Sequence, residues 1–280
     1  MNQSSPRTHG PILVLGGTGK TGRRIVDRLR AREIAVRVGS RSAEPPFDWE
    51  DRSTWARALE GTAAIYVSYS PDLAVPGAPE AVRALTEQAV AGGVQRAVLL
   101  SGRGEEEAQR AEEVVQEAGI DWTVVRCSWF AQNFSEAYLL DPILAGEVAL
   151  AAGDVPEPFV DVEDIADVAV AALTEDGHAN RVYELTGPRL LTFADAVAEI
   201  AEATGREIGY IPVTIDEYAA ALAEYDLLDD VVWLIRYLFT EVLDGRNASL
   251  SDGVQRALGR EPRDFSEYVR ETAATGVWNP

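Results

Sequence analysis

Four glycines near the start of the chain, at positions 16, 17, 19 and 22, have a spacing that suits the binding of a ligand by the backbone. They follow an apolar run at residues 12–15 and precede residues 23–32, whose apolar side chains recur at helical spacing. A strand, a glycine turn and a helix in this order present backbone N–H groups to a phosphate at the helix N-terminus. The spacing therefore predicts a dinucleotide site formed by Gly16, Thr18, Gly19, Lys20, Thr21 and Gly22.

The end of the second predicted strand indicates which dinucleotide binds. It reads Ser40-Arg41-Ser42, at the place where an Asp or Glu would bind a free ribose 2′-hydroxyl. A guanidinium and two hydroxyl groups instead suit a 2′-phosphate, so we predict NADP(H). The alternative for Arg41 is an ordinary surface arginine. Asp48, a little further on, is a candidate for lining the adenine pocket, and a loop aspartate without a ligand is its alternative.

The elements that must position these residues alternate regularly. Short apolar runs alternate with amphipathic helical patterns as far as residue 186, which predicts an α/β fold with a Rossmann-type, doubly wound parallel sheet. Ligands bind such a sheet at the carboxyl ends of its strands. The loops expected there are residues 16–22, 39–42, 68–79, 101–104 and 127–138. Ser68 and Ser101 begin two of these loops, and we predict that both bind the cofactor.

The second half of the chain is less regular and predicts a different domain. We expect an NADP-binding domain over residues 11–186, with the loop at 127–158 contributing to the active-site crevice. A small, mostly helical C-terminal lobe for the substrate then covers residues 187–280. An apolar helix is predicted at 227–243; its side chains Trp233, Tyr237 and Phe239 either line the substrate site or form a core or homodimer interface.

Three residues of the predicted crevice loops are candidates for catalysis. Ser101 is placed to bond the nicotinamide ribose or a substrate carbonyl, and Asn133 to hold a carboxamide or carbonyl group. Tyr138 is a candidate proton donor. A turn serine and a helix-capping asparagine are the structural alternatives for the first two. The aromatic residues Trp129 and Phe130 in the same loop suit an aromatic substrate, with core packing as the alternative.

Composition excludes several other classes of function. The net charge of −21 disfavours nucleic acid and anionic membranes as partners, because both require clustered basic residues. Cys127 is the single cysteine and there are two histidines, so we expect no metal site. The N-terminal residues lack the apolar core of a signal peptide, and acidic residues interrupt the most apolar run. We therefore expect a cytoplasmic protein with a small-molecule substrate.

Five motifs, in order along the chain, resemble one known family. They are GGTGKTG at 16–22, RCSWFAQNF at 126–134, FVDVEDIA at 159–166, YELTG at 183–187 and the segment 253–268. Together they resemble the NmrA-like branch of the atypical short-chain dehydrogenases/reductases. The resemblance implies a Rossmann fold, a small C-terminal lobe and NADP(H) binding, as in NADPH-dependent quinone reductases of that branch. The family places a proline after the arginine at position 126, whereas this chain has Cys127.

One departure from the main reductase branch bears on the chemistry. That branch uses a Tyr-x-x-x-Lys pair as its proton donor, but Lys20 is the only lysine of this chain and lies in the glycine turn. The leading hypothesis is therefore an NADPH-dependent reductase of a small aromatic or quinone-like carbonyl compound that works without this pair. Two alternatives stay open: a non-catalytic NADP(H)-sensing regulator that binds a partner protein, and a cofactor-retaining biosynthetic enzyme that catalyses a redox-neutral step.

Overall fold

The computed structural model describes residues 10–222 and 229–280. Its strands are β1 Ile12–Leu15, β2 Val36–Gly39, β3 Ala64–Val67, β4 Arg96–Gly102, β5 Asp121–Cys127, β6 Glu147–Leu150, β7 Arg181–Leu185 and β8 Gly209–Pro212. Its helices are α1 Lys20–Ala31, α2 Trp55–Leu59, α3 Ala78–Ala91, α4 Glu106–Gln116, α5 Asn133–Glu136, α6 Leu140–Ala145, α7 Val162–Thr174, α8 Phe193–Thr204, α9 Ile215–Leu222, α10 Asp229–Tyr237, α11 Gly253–Leu258 and α12 Phe265–Ala274. Among the described residues, no helix has both the length and the apolar character needed to cross a membrane.

The larger sheet has the strand order β2-β1-β3-β4-β5-β7. The pairings from β2 through β5 are parallel, and all residues of β1 and β3 are buried. Burial on both faces explains why these strands are continuous apolar runs rather than alternating ones. The chain leaves β1 for β2 on one side and returns to β3 on the other, so the strand order reverses between β1 and β3. The predicted doubly wound α/β fold is confirmed, and ligands are expected at this reversal.

Two compact units divide the chain, and each is assembled from separate segments. Unit 1 consists of the described residues 10–127 with Glu163–Glu184 and Gly253–Arg260. Unit 2 consists of Ser128–Val162, Leu185–Asp252 and Glu261–Pro280, within the described residues. The domain boundary expected after residue 186 lies beside one of these junctions, and its role as the end of a cofactor domain stays a prediction.

Unit 2 has its own aromatic core and its own small sheet. Phe134 packs edge-on against Phe159 and Phe265, with ring centroids 5.4 and 5.5 Å apart, and Trp278 is fully buried beside them. Strands β6 and β8 pair in parallel, from Glu147 opposite Gly209 to Leu150 opposite Pro212. This pairing gives the loop at 127–158, which the sequence analysis left without regular structure, a strand of its own.

The helix predicted at 227–243 is present in the described part of that range, with a wider turn near its end. Residues 227 and 228 lie outside the described residues. Beyond them, α10 is followed by a π-helical turn at Leu238–Val242, which accommodates five residues in a wider turn. Phe239 and Val242 in this turn are buried, whereas Trp233 in α10 is 41% exposed. Helical structure therefore runs without a break from Asp229 to Val242, as predicted, but it is amphipathic rather than apolar throughout.

Candidate functional site

The glycine turn between β1 and α1 has the geometry of a phosphate cradle. Gly16 has a φ of +65°, a left-handed conformation that other residues adopt only at a cost. A side chain at Gly22 would collide with the backbone of Gly16 and Gly17, because α1 packs directly on the turn. No side chain caps α1 at Gly19, and its first turn holds no acidic residue. This helix N-terminus therefore fits a pyrophosphate group.

The turn lies beside the end of β3, where the strand order reverses. A Cβ atom added at Gly16 would lie 3.3 Å from both the Cβ and the Oγ of Ser68. The indole N–H of Trp49 donates a hydrogen bond of 3.1 Å to the carbonyl oxygen of Ser68. Gly16 and Ser68 are thus brought together as the sequence predicted for loops at the carboxyl edge of the sheet, and binding of the cofactor by Ser68 stays a prediction.

Thr21 differs from the other residues of the cradle because its side chain points inward. It accepts a hydrogen bond of 3.0 Å from the hydroxyl of Tyr66, and both residues are buried. Burial raises the pKa of Tyr66, so its phenol stays a neutral donor. The side chain of Thr21 therefore fastens α1 to β3, and its contribution to a phosphate site stays a prediction.

The Ser40-Arg41-Ser42 segment forms a tight turn after β2. The carbonyl oxygen of Ser40 accepts from the N–H of Ala43 at 3.2 Å and of Phe47 at 2.9 Å. The hydroxyl groups of Ser40 and Ser42 lie 3.3 Å apart. Arg41 is exposed, and within the described parts of the chain it has neither an ion pair nor a hydrogen bond. Two hydroxyls and an uncommitted guanidinium at this point fit the 2′-phosphate of NADP(H).

An aromatic cluster beside this turn was not foreseen from the sequence. Trp49 lies edge-on to Phe47 and Trp55, at centroid distances of 5.1 and 5.7 Å, and 4.7 Å from the ring of Tyr69. The carbonyl oxygen of Asp48 accepts from the indole of Trp55 at 2.7 Å, and its carboxylate accepts from the N–H of Glu50 at 3.1 Å. Asp48 thus shapes the loop that carries the cluster; its contact with adenine stays a prediction.

The candidate Ser101 belongs to a buried polar network in unit 1. Its hydroxyl donates to the carboxylate of Glu112 at 2.6 Å, and the Nε of Arg126 donates to the same carboxylate at 2.9 Å. The hydrogen bond to Glu112 is the main cause that raises the pKa of Arg126. Glu184 then pairs with both Arg126 and Arg103. Ser101 is 4% exposed, so its hydroxyl positions this network, and contact with a ribose or substrate stays a prediction.

Two carboxyl groups that the sequence analysis passed over meet at the same edge of the sheet. Asp72 follows β3 and Glu105 follows β4, and their carboxyl groups are close enough to interact electrostatically. Two carboxyl groups in such proximity favour the retention of a proton by one of them. Burial raises the pKa of both groups, and for Glu105 the charges of Asp72 and Glu112 raise it further. Burial, with the charge of Glu105, also raises the pKa of Cys127, which is a neutral buried thiol.

Tyr138 and Trp129 form one contact within unit 2. The indole N–H of Trp129 donates to the hydroxyl of Tyr138 at 3.0 Å, while 45% of the Tyr138 surface stays exposed. Trp129 also packs on Phe239, at a centroid distance of 5.4 Å, and Tyr218 lies 5.6 Å from the same ring. Burial raises the pKa of Tyr218 to about 12. A proton-donor role for Tyr138 stays a prediction.

Asn133 and its neighbour Gln132 have different surroundings. Asn133 begins α5, is half-buried, and its side-chain amide has no hydrogen-bond partner among the described residues. Gln132 is buried and bridges Asp161, at 2.7 Å, and the backbone N–H of Val162, at 2.8 Å. The glutamine of the RCSWFAQNF motif therefore fixes the start of α7, and the asparagine is the amide left for a ligand.

Comparison with known proteins agrees with the interpretation of the glycine turn as a dinucleotide site. A family model described as NAD(P)H-binding matches residues 16–176. Agroclavine dehydrogenase from Claviceps fusiformis is 33% identical over 95% of this chain and 98% of its own. An NAD(P)H azoreductase from Xenophilus azovorans is 29% identical, over 94% of this chain and 98% of its own. The solved NADPH-dependent quinone oxidoreductase from Escherichia coli, in complex with NADPH, has a similar fold, with a TM-score of 0.77 and 22% identity over 93% of this chain and 99% of that one.

Proposed function

The chain belongs to the NAD(P)H-binding family and is an NAD(P)-dependent oxidoreductase, and we propose that it is an NADPH-dependent reductase of a small aromatic, quinone-like acceptor. The observation that carries the proposal is the glycine cradle of unit 1, with an uncapped α1, together with the unpaired Arg41 after β2. The cradle accounts for dinucleotide binding, and Arg41 accounts for the choice of the phosphorylated form.

Each part of the cofactor has residues suited to it in unit 1. The backbone at Gly16, Gly19 and Gly22 receives the pyrophosphate, because a side chain at any of these positions would fill or distort the cradle. Arg41 with its flanking serines binds the 2′-phosphate. The bound dinucleotide supplies a hydride, and the protein supplies orientation and the exclusion of water.

The acceptor is assigned to the aromatic side chains of unit 2. A chain of contacts joins Tyr138, Trp129, Phe239 and Tyr218 in that order, and rings of this kind bind planar molecules by stacking. The activities in the names of two similar proteins, an azoreductase and a quinone oxidoreductase, support an acceptor with conjugated double bonds. Because the chain has no Tyr-x-x-x-Lys pair, the proposed reaction depends on positioning rather than on a tyrosine acid.

The test measures cofactor binding and turnover separately on the purified full-length protein. NADPH binding is followed by fluorescence, and its oxidation by loss of absorbance with a panel of quinones, azo compounds and aromatic ketones. We expect tight binding of NADPH and steady oxidation with at least one aromatic class. Tight binding without oxidation by any member of the panel would overturn the reductase and support a dinucleotide-sensing protein.

A further inference from the structure

Glu105 in unit 1 has a buried carboxyl oxygen without a partner. The side chain follows β4 and is 7% exposed, and its Oε2 has no hydrogen-bond partner among the described residues. Glu105 directly precedes α4, yet its side chain makes no capping hydrogen bond to that helix. Burial of an ionised carboxylate with an unpaired oxygen is costly, whereas a protonated carboxyl is neutral. The surroundings of Glu105 therefore favour a carboxyl that retains its proton.

The end of β4 is shaped to receive this carboxyl group. Gly102 is the last residue of β4, and a Cβ atom added there would overlap the carboxyl group of Glu105. The carboxyl thus lies directly against the strand end, in space that a side chain at position 102 would fill. Gly102 is also the residue opposite Cys127 in the pairing of β4 with β5. Glu105 is therefore held at the carboxyl edge of the sheet rather than directed into solvent.

Asp72 is the second member of this carboxyl pair and the one nearer to solvent. It lies in the loop after β3, the strand that pairs with β4, and is partly exposed, whereas Glu105 is buried. Its Oδ1 accepts a hydrogen bond of 2.8 Å from the backbone N–H of Ala74, which leaves Oδ2 for a proton. The charges that act on Glu105 come from Asp72 and Glu112, both acidic. The pair thus has an inner member suited to retaining a proton and an outer member suited to exchanging it.

The strand order places this pair on the side of the glycine turn away from Arg41. The sheet runs β2-β1-β3-β4-β5, with Arg41 after β2 and the glycine turn after β1. A dinucleotide with its 2′-phosphate at Arg41 and its pyrophosphate at the turn continues past β1 toward β3, β4 and β5. The nicotinamide end is therefore directed to the strand ends that Asp72 and Glu105 follow, where an acceptor receives hydride.

From this placement we propose that Asp72 and Glu105 are the proton donor of the reductase, with Asp72 delivering the proton to the reduced acceptor and Glu105 holding it in reserve. The proposal rests on the reductase function proposed above and adds the acid that it lacks. A carboxyl pair that shares one proton supplies an acid at neutral pH. The pair thereby takes over the task of the Tyr-x-x-x-Lys pair that this chain does not have.

The step balances for an acceptor with a conjugated C=O or N=N bond. Hydride addition forms one bond to the acceptor, and a π-electron pair moves to the oxygen or nitrogen at the other end of the conjugated system. The O–H bond of the carboxyl breaks, and its proton forms an O–H or N–H bond with that atom. The acceptor gains two electrons from NADPH, which becomes NADP⁺. The pair is left with two carboxylates, and solvent returns one proton to it through Asp72.

Two quinones with the same ring separate proton delivery from hydride transfer. Reduction of tetramethylbenzoquinone gives a basic anion that needs a proton, whereas the anion from tetrachlorobenzoquinone is stable at neutral pH. After subtraction of the uncatalysed reaction, we expect Asp72→Asn and Glu105→Gln to lower kcat about a hundredfold for the methylated quinone and less than about threefold for the chlorinated one. NADPH binding, measured by fluorescence, should be unchanged, and the exposed Glu113→Gln should behave as the wild type. Equal losses with both quinones would overturn the proposal.

Infrared spectroscopy detects the proton without any turnover. The C=O stretching band of a protonated carboxyl is separate from the bands of carboxylates, so the wild-type protein without substrate at pH 7 should show such a band. Glu105→Gln should abolish this band, and Glu113→Gln should retain it. Absence of the band from the wild type, or its persistence in Glu105→Gln, would overturn the proposal whatever the activity of the variants.

The failure of this inference can be told apart from failure of the reductase itself. A wild type that binds NADPH and reduces neither quinone refutes the parent proposal, and this one with it. A wild type that reduces both quinones, with Asp72→Asn equally active, is a reductase with a different acid. If Tyr138→Phe then loses kcat for the methylated quinone alone, the donor lies in unit 2 and the carboxyl pair is overturned as the donor.

Discussion

The hydroxyl of Ser101 donates a hydrogen bond of 2.6 Å to the buried carboxylate of Glu112, and Arg126 donates to both oxygens of that carboxylate. Ser101 is the second-last residue of β4, Glu112 is in the middle of α4, and Arg126 is in β5, so one carboxylate joins three elements of unit 1. The serine predicted to face a ligand at the sheet edge is therefore occupied with holding that edge together.

Substitutions in this network are expected to act first on stability. Ser101→Ala leaves one hydrogen bond of Glu112 unmade and should lower the free energy of unfolding by about 1–3 kcal/mol. Glu112→Gln removes one partner of a buried ion pair and should cost about 3–5 kcal/mol. Urea denaturation measures both, with the exposed Glu113→Gln on the same helix as control. If Ser101→Ala unfolds like the wild type but loses kcat, the serine acts on substrate or cofactor instead.

Arg41→Ala should weaken the binding of NADPH far more than the binding of NADH. The variant removes one charge-assisted contact to the 2′-phosphate, which predicts a loss of about 1.5–3 kcal/mol in NADPH binding and little change for NADH. Fluorescence titration with both dinucleotides measures the difference. Arg83→Ala, at an exposed position of α3, serves as the charge-matched control and should bind both as before. If Arg41→Ala weakened the binding of both dinucleotides equally, this residue would not be the one that binds the 2′-phosphate.

Gly22→Ala is expected to push helix α1 away from the glycine turn and so to disrupt the cradle. The added methyl group would collide with the Gly16 carbonyl and approach the Cα of Gly17 to 2.7 Å, so α1 must move off the turn. Overpacking of this kind costs about 1–3 kcal/mol of stability and should remove dinucleotide binding with it. Gly209→Ala, where an added Cβ meets nothing within 4 Å, is the matched control. Thermal unfolding with and without NADPH distinguishes loss of stability from loss of binding.

The sequence predicted unit 1 well because its strands are buried on both faces. Ile12–Leu15 and Ala64–Val67 are fully apolar, and each lies between a glycine or proline signal and a helix, so their order and role follow from local pattern. The glycine cradle and the Ser40–Ser42 turn could also be predicted, because each is specified by a few consecutive residues. Strand β6 could not be recognised in this way, because it alternates exposed and buried residues and pairs with β8, about sixty residues later.

The parts of the site that were missed depend on contacts between strand ends. Asp72 and Glu105 are far apart in sequence and become neighbours because β3 pairs with β4. Their proximity could have been predicted, because each residue follows a predicted strand. The carboxyl ends of neighbouring parallel strands lie at the same edge of the sheet, so two carboxyl groups in adjacent loops are expected to meet there. Likewise, the commitment of Ser101 to Glu112 requires the docking of α4 on β4, which no local pattern specifies.

The Asp72–Glu105 pair should make the stability of the protein fall as the pH rises. In the unfolded chain both carboxyls lose their protons at pH values near 4. In the folded protein the pKa of each is raised, chiefly by burial, so the pair retains a proton that the unfolded chain has released. The free energy of unfolding should therefore decrease above pH 4–5, by up to about 1.4 kcal/mol per pH unit for each proton retained, until the pair ionises. Glu105→Gln keeps the size and polarity of the side chain without its titrating proton and should reduce this slope, whereas Glu113→Gln should preserve it. Urea denaturation at a series of pH values measures the slope, and a wild type and Glu105→Gln with parallel curves would show that the two carboxyls share no proton.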